Sequence, residues 1–600
     1  MRTTQAILEM VHKRGENSLP LERMYRLLYN RDLYITAYSN LYSNKGALTP
    51  GINPDDTVQG MSLDRIDQLI QKLKDRTYQW QPVRRKGIPK KNGQVRWLGL
   101  PGWTDKLLQE VIRLILEAYY EPQFSPHAHG FRPGRGCHTT LQEISQWNGT
   151  RWYIEGDIQS CFDSIDNKAL LKTIERNIPD KSFLKLLRKM LQAGYMQEWQ
   201  YHQTFSGMPQ GGVVSPLLSN IFLNKLDQFI EKELMPDYNR GDCKRINPEY
   251  NRLKTAVHDA KRKGDVAQYK VLRRQLQQLP SQITHDPHFR RLKYVRYGDD
   301  FLLGYIGTRA EAVEIKQQIS HFLQSIKLTL SDEKTLITNA VKNKARFLGY
   351  EIHIAQDDSR MNRKTRPNQP KRRTINGQPL LHVPKDVVKE WNNRFSHQGK
   401  TRHRPELLTC SDYEITLTYS LEFQGLVNYY ALAYDVSKLH QVKYHFETSL
   451  IKTLATKHQR STQWVTNKYK RPTQTGSKAI VVEVPHPDHP DKPLTAKFGG
   501  QPIRQKKQTI IIDNKPHFYH SRNELVGRLL ANKCELCGSS NRIRGHHVHK
   551  LADVKKRFQA HSHSPPWAAF MMARHRKVVF VCQTCHTCIH TGKYDGPKVN

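Results

Sequence analysis

The stretch 296–304 reads RYGDDFLLG. Its two adjacent acids, Asp299 and Asp300, stand between Tyr297 and an apolar run of Phe301, Leu302 and Leu303. Apolar flanks predict burial, and two neighbouring carboxylates are costly to bury unless a positive charge compensates them. A third acid is at hand in RWYIEGDIQSCFDSID, 151–166. There Trp152, Tyr153, Ile154 and Ile158 predict a buried strand with Asp157 near its end. Two strands with acids at adjacent ends would converge on one divalent cation or two. Magnesium prefers oxygen ligands and bridges phosphates. Two such ions about 3.5–4 Å apart can activate a 3′-hydroxyl and stabilise a leaving pyrophosphate. The chemistry that fits is nucleotidyl transfer. Taken alone, Gly298-Asp299-Asp300 reads more simply as a hairpin turn.

A second concentration of reactive side chains lies in CELCGSSNRIRGHHVHKL, 534–551, and VCQTCHTCIHTG, 581–592. Two C-x-x-C pairs, Cys534 with Cys537 and Cys582 with Cys585, offer four thiolates for a closed, structural zinc site. Cys588 is left over as a free thiol. A zinc ribbon that binds nucleic acid is the plainer alternative, but it gives the histidines no role. Five of the nine cysteines lie after residue 530. That distribution suits a metal site in a reducing compartment better than a disulfide framework.

These sites need a large body to position them. The chain has 600 residues, with 95 Lys+Arg against 55 Asp+Glu and a net charge of +40. Such a surplus attracts a polyanion, foremost nucleic acid, because each neutralised phosphate releases counterions. No apolar run approaches the roughly 18 residues of a spanning helix. The N-terminal residues do not read as a signal peptide. Residues 1–80 read as helical around a Gly/Pro-rich turn region, with Ser62 capping a helix. Residues 81–360 alternate strand-like and helix-like pieces, a mixed α/β body. A basic helical hairpin at 247–280 is inserted in it, within 240–290. Residues 357–405 are basic and loop-like. A helical pattern with aromatics among bases begins at Ser411, which with Glu414 makes a capping box. Residues 471–530 are Pro- and Lys-rich with short strand signals, AIVVEV and TIIID. Residues 531–600 are the Cys/His unit.

Seven ordered segments carry a family resemblance: IPKKNGQVRWLGLP (88–101), HGFRPGRGCHTTL (129–141), GDIQSCFDSID (156–166), SGMPQGGVVSPLLSNIFLNKLD (206–227), YVRYGDDFLLG (294–304), LTLSDEKTLIT (328–338) and RFLGYEI (346–352). Together the chain resembles a group II intron-encoded protein, a reverse transcriptase and maturase with a C-terminal HNH endonuclease domain. The resemblance implies a multidomain α+β fold, a right-hand polymerase. Fingers and palm would occupy 81–360 after an N-terminal extension at 1–80. A helical thumb, or domain X, would span 361–470, a basic DNA-binding region 471–530, and a small zinc-containing ββα-metal HNH domain 531–600.

The same resemblance implies residue roles. Asp157, Asp299 and Asp300, with Ile158 beside them, would hold Mg²⁺. Phe162 would exclude a ribose 2′-hydroxyl, making dNTP the substrate, although as part of Cys161-Phe162 it also reads as core packing. Gln210 would line the incoming nucleotide. Lys90 and Arg96 would hold its triphosphate, unless they are an ordinary exposed basic hairpin. Lys334 resembles the family's lysine near the site. Tyr429, Tyr430, Lys443, Lys452 and Lys457 become RNA-binding candidates, with an amphipathic bundle whose tyrosines are core as the alternative. His547 would act as general base of the HNH site, and His546, His586 and His590 would surround its cation. Two departures concern the polymerase blocks: Gly298 replaces the family's usual alanine, and Trp97-Leu98 follows Arg96 in place of Pro-Leu. A third concerns the HNH motif, where Lys577 stands near the expected asparagine.

The implied function is splicing of the intron RNA, its copying into DNA at a target site, and HNH nicking of the second strand. The partners would be intron RNA in a ribonucleoprotein, target DNA and dNTPs, with no membrane. Mg²⁺ and Zn²⁺ would be the cofactors and the bacterial cytoplasm the setting, with organellar origin open. The rival is an RNA-binding splicing factor with the same fold and no required catalysis. Defence-associated or diversity-generating reverse transcriptases typically lack both the maturase-like thumb and an HNH tail of this kind.

Overall fold

The computed structural model describes residues 2–44, 46–89, 93, 95–197, 200–202, 207, 211–284, 286–357, 375–473, 476–485, 493–508, 511–512, 524–548, 551, 553–554, 565–574 and 576–593. Lys90, Gln210, His549, His561 and His563 lie outside them.

The N-terminal helices start at side-chain caps. Thr3 accepts from the Ala6 N–H ahead of Thr4–Glu16, Asn30 from Asp32 ahead of Arg31–Leu41, and Ser62 from Arg65 ahead of Leu63–Lys74. They pack on the helix Trp103–Tyr120, which buries residues on nearly every side. The strands Val83–Pro89 and Val95–Leu100 form an antiparallel hairpin in which Ile88 faces Arg96.

The central sheet is antiparallel throughout. Its order is Arg291–Tyr297, Asp300–Ile306, Trp152–Asp157 and Leu336–Asn339. The strand Asp300–Ile306 is buried at six of its seven positions, matching its unbroken apolar run. Helices Ser215–Phe229 and Arg309–Ser325 pack against the sheet, joined by Phe229 stacked 4.2 Å from Phe322. Between Ser215–Phe229 and the sheet strand Arg291–Tyr297, the helices Pro248–Arg262 and Val266–Gln278 form a hairpin. Only Ala260 among their residues is buried.

A second core gathers the strands Ala345–Phe347, Tyr350–Ile354 and Pro379–His382 with the helices Asp412–Tyr429, Leu439–His458 and Thr462–Tyr469. Ser411 and Glu414 form their capping box. The strands Lys470–Pro472, Lys478–Val484 and Leu494–Gly499 continue this core. Ile480, Val482 and Phe498 are buried in it, and Phe498 stacks on Phe446. Packing therefore runs on past 470, because AIVVEV turns its apolar face onto the helices. Ile511 and Ile512, from TIIID, have no regular structure.

The Cys/His unit pairs Arg544–His547 with Val578–Val581 and sets Gln583–Thr591 against them. Its apolar residues join those of the N-terminal helices in one continuous core. Among the described residues no helix is long and apolar enough to cross a membrane.

Candidate active site and metal centres

Strand pairing brings the acids together. Asp157 lies directly opposite Asp300 in register. Asp299 sits in the turn between Arg291–Tyr297 and Asp300–Ile306, one residue before Asp300. Gly298 adopts φ +68°, a conformation in which a side chain is strained. The turn is anchored from below. Arg296, 1% exposed, forms a bidentate pair with the fully buried Asp227 at 2.6 and 2.7 Å. It also donates to Asn220 Oδ1 at 2.9 Å and to the Gly298 carbonyl at 2.8 Å. Tyr294 donates to the same Asp227 carboxylate. Neither Arg296 nor Asp227 was singled out from the sequence. The available signal is an arginine inside an otherwise apolar strand, which demands a buried carboxylate partner.

Partial burial, together with the charges of Asp299 and Asp157, pushes the Asp300 carboxyl up to about 7. Burial and Asp157 also raise Asp299, while Lys334 and Arg96 oppose the rise. Lys334 Nζ lies 2.7 Å from Asp157 Oδ2, and this pair raises the lysine pKa. Three crowded carboxylates that Lys334 and Arg96 only partly offset are a setting a divalent cation suits. Ile158 is buried and bridges to Leu330, which fixes the backbone next to Asp157. Phe162 stands on the short helix Cys161–Ser164 and packs against the core while remaining partly exposed. Arg96 is exposed on its hairpin strand, close enough for its charge to act on Asp299. Thus Asp157, Asp299, Asp300, Lys334 and Arg96 share one region.

The five RNA-binding candidates separate. Tyr430 is 4% exposed, lies against the Tyr350 ring and donates to the Gly349 carbonyl at 3.0 Å. Tyr429 donates to the Leu348 carbonyl, and its own carbonyl receives Tyr350 and His138. Both tyrosines tie the end of the helix Asp412–Tyr429 to the turn 348–350 within the second core. Lys452 donates to the Thr401 carbonyl at 2.6 Å, and Lys457 pairs with Asp412 at 2.6 Å. Lys443 lines a surface cleft with Phe423, Lys497 and Phe498.

In the Cys/His unit the sulfurs of Cys534, Cys537, Cys582 and Cys585 lie within 4.8 Å of one another. The Cys537 N–H points to Cys534 Sγ, and the Cys585 N–H to Cys582 Sγ, the backbone pattern of two thiolate knuckles. The ring nitrogens of His546, His586 and His590 form a second group within the same limit. His546 Nδ1 and His586 Nε2 are buried without a hydrogen-bond partner. Buried polar atoms are normally satisfied, so these two nitrogens fit the role of cation ligands. The four sulfurs fit zinc by number and type.

His547 does not join that cluster. Successive strand residues point to opposite faces, so with His546 turned to the cluster, His547 faces the N-terminal helices. Its Nδ1 donates to the Gly545 carbonyl at 3.1 Å, so its Nε2 accepts the Tyr38 hydroxyl at 2.9 Å. Gln59 bonds its backbone N–H and carbonyl, and Met61 pairs with Gly545. Burial pushes His547 down to about 3, leaving it neutral. With both nitrogens engaged and 4% exposure, His547 does not fit the expected general base; it pins the unit to the N-terminal helices. Tyr38 and Gln59 carried no signal, since nothing local marks contacts 509 and 488 residues away. Lys577 is exposed, and its carbonyl receives the Val548 N–H.

Comparison with known proteins accords with this layout. A reverse transcriptase (RNA-dependent DNA polymerase) family model matches residues 88–247. A type II intron maturase model matches 384–478 and an AI2M/AI1M-like HNH endonuclease model 534–586. The chain is 39% identical to the group II intron-encoded protein LtrA of Lactococcus lactis subsp. cremoris, over 98% of this chain and 99% of that protein. It is 33% identical to an uncharacterized 91 kDa protein in a cob intron of Schizosaccharomyces pombe, over 98% and 72%. A putative COX1/OXI3 intron 1 protein of Saccharomyces cerevisiae is 31% identical over 95% and 69%.

Proposed function

The chain belongs to the group II intron-encoded proteins and is a multifunctional reverse transcriptase, maturase and HNH endonuclease; from that premise we propose how its residues divide the work. The central sheet is the palm, the hairpin at 83–100 belongs to the fingers, and 361–470 is the thumb. The domain limits proposed are 1–80, 81–360 with an insertion at 240–290, 361–470, 471–530 and 531–600. The observation that carries the polymerase assignment is the register of Asp157 opposite Asp300, with Asp299 in the adjoining turn.

Asp157, Asp299, Asp300 and the Ile158 backbone would hold Mg²⁺, which supplies the positive charge for the 3′-hydroxyl and the departing pyrophosphate. Lys334 neutralises Asp157 until then. Arg96, with Lys90 and Gln210, receives the nucleotide, and Phe162 closes the space beside its sugar. Cys534, Cys537, Cys582 and Cys585 hold structural zinc. His546, His586 and His590 hold the nuclease cation against a scissile phosphate. Lys443 is the RNA contact retained from the thumb set. The substrates are dNTPs on an intron RNA template, and the partners are that RNA, whose splicing the chain assists, and its DNA target.

The test is primer extension on an RNA template with Mg²⁺, comparing dNTPs with rNTPs and the unaltered chain with Asp299→Ala. Extension with dNTPs alone, lost in the variant, is expected. No extension, alongside tight binding to a folded intron RNA, would favour a splicing factor without required catalysis.

A further inference from the structure

At the end of the central sheet away from the acids there is a cavity of about 330 Å³. Arg151, Lys244, Arg290 and Arg309 line it, with Trp152 and Phe289 among its apolar walls. Arg290 is committed to Glu311 at 2.9 Å. The one carboxylate in the wall, Asp286, is taken by Arg245 and by the His288 N–H. Among the described residues, no carboxylate pairs with Arg151, Lys244 or Arg309. Three cations thus face one cavity with no ion pair of their own, and the single wall carboxylate, Asp286, acts on Lys244 while bonded to Arg245. Burial and the charge of Arg151 lower the Lys244 pKa, and burial with Arg290 lowers that of Arg151. Positive groups held that close need an anion to relieve them.

The cavity's place in the fold is fixed. Trp152 begins the strand that ends at Asp157, with Arg151 just before it, and Ile306 ends the strand that begins at Asp300. At about 3.3 Å per residue the cavity lies roughly 17–20 Å from the acids. A phosphate there cannot belong to the nucleotide undergoing reaction. A concave site with Trp152 and Phe289 in its wall suits an extruded nucleotide, whose base can stack, better than a smooth duplex backbone. Structured RNA presents unpaired nucleotides in loops and bulges.

We propose that the cavity lined by Arg151, Lys244 and Arg309 binds the phosphate of an unpaired nucleotide in the bound RNA. This rests on the reading of the chain as an RNA-binding reverse transcriptase. It adds an anchor at the far ends of the two strands that carry the candidate acids, so the RNA is gripped at a set distance from the chemistry.

The test uses the full chain and fluorescence anisotropy with two RNAs of equal length, one a hairpin with an unpaired loop and one fully paired. AMP serves as a free-nucleotide competitor. The variant combining Arg151→Ala, Lys244→Ala and Arg309→Ala is expected to bind the looped RNA about tenfold more weakly, with its log–log salt slope smaller by about 2. Affinity for the paired RNA and extension of a short primer-template should not change. Arg309→Glu alone alters an exposed side chain and should weaken looped RNA in the same selective way. Unchanged affinity for looped RNA overturns the proposal, and so does an equal loss on both RNAs. Competition by AMP without loss of looped-RNA affinity in the variant would place a free nucleotide in the cavity and overturn the assignment to RNA. Should the unaltered chain fail to extend a primer yet show the selective loss, the polymerase reading fails and the cavity assignment stands.

Discussion

The carboxylate site and the histidine cluster are both built for cations, but they are held in place by different means. Around Asp157, Asp299 and Asp300 the backbone does the holding: a four-stranded sheet sets the register, and the buried Arg296–Asp227 pair secures the Gly298 turn. The acids converge whether or not an ion is bound, at the cost of crowding that Lys334 partly relieves. In the Cys/His unit the secondary structure is slight, two four-residue strands and short helices. There an apolar core shared with the N-terminal helices surrounds the candidate ligands, with two imidazole nitrogens left unpartnered and four sulfurs gathered together. On the proposed reading, the first region would tune an ion's chemistry within a sheet, and the second would count its ion as part of the frame.

The largest expected effect breaks the first site alone. Asp299→Ala should abolish dNTP incorporation in primer extension while folded-RNA affinity stays within a few-fold. Loss of both would mean that the acids also shape the RNA surface. Next, chelation that strips the four-cysteine site, or Cys582→Ser, should melt the unit around 524–593 and leave the central sheet intact. Zinc contributes about 10–16 kcal/mol to small zinc-finger folds. Hydrogen exchange would read the two regions separately, and protection retained at 578–591 would erase the contrast drawn above. Arg296→Met leaves Asp227 as an uncompensated buried charge and should cost about 3–5 kcal/mol. Urea denaturation measures this, and a neutral result would remove the pair from the account of the turn.

Smaller effects sharpen the comparison. Tyr38→Phe leaves His547 Nε2 unsatisfied and should cost about 1–3 kcal/mol. The loss should appear as earlier exchange at both 31–41 and 544–547. Loss at one segment only would show that they do not open together. The smallest effect is a pH dependence. In the cation-free fold Asp300 keeps a proton up to about 7, whereas an unfolded aspartate has lost it above about 4. The folded chain therefore binds more protons between these values, and this group's contribution to stability falls as pH rises from about 4 to about 7. Mg²⁺ should flatten that slope in thermal scans. A slope that Mg²⁺ does not change would place the ion elsewhere.

What could be read from the sequence follows the range of the interactions concerned. Caps at Ser62 and Ser411 are local and were legible. So was the convergence of Asp157 with Asp299 and Asp300, because each acid borders an apolar strand-like run. Alone, the Gly298-Asp299-Asp300 stretch reads as a hairpin turn, and it is the ordered family segments that point to a cation. The cysteine pairs announced themselves by spacing. Tyr429 and Tyr430 misled, since an aromatic among lysines has the same composition whether it stacks on a base or on Tyr350. His547 misled for a subtler reason. Neighbouring histidines look interchangeable in a motif, yet strand alternation sends them to opposite faces. Arg296, Tyr38 and Gln59 act through partners far along the chain, and no window of sequence contains both ends of such a contact.

The docking of 545–547 onto 59–61 also has a temporal meaning. Gln59 leaves the ribosome 488 residues before the His547 backbone that it bonds. At about 5–20 residues per second, synthesis of the intervening chain takes roughly 25–100 s. Throughout that interval Tyr38 and Met61 lack the neighbours that later cover them. The N-terminal helices therefore cannot be fully covered until residues 545–547 have been made.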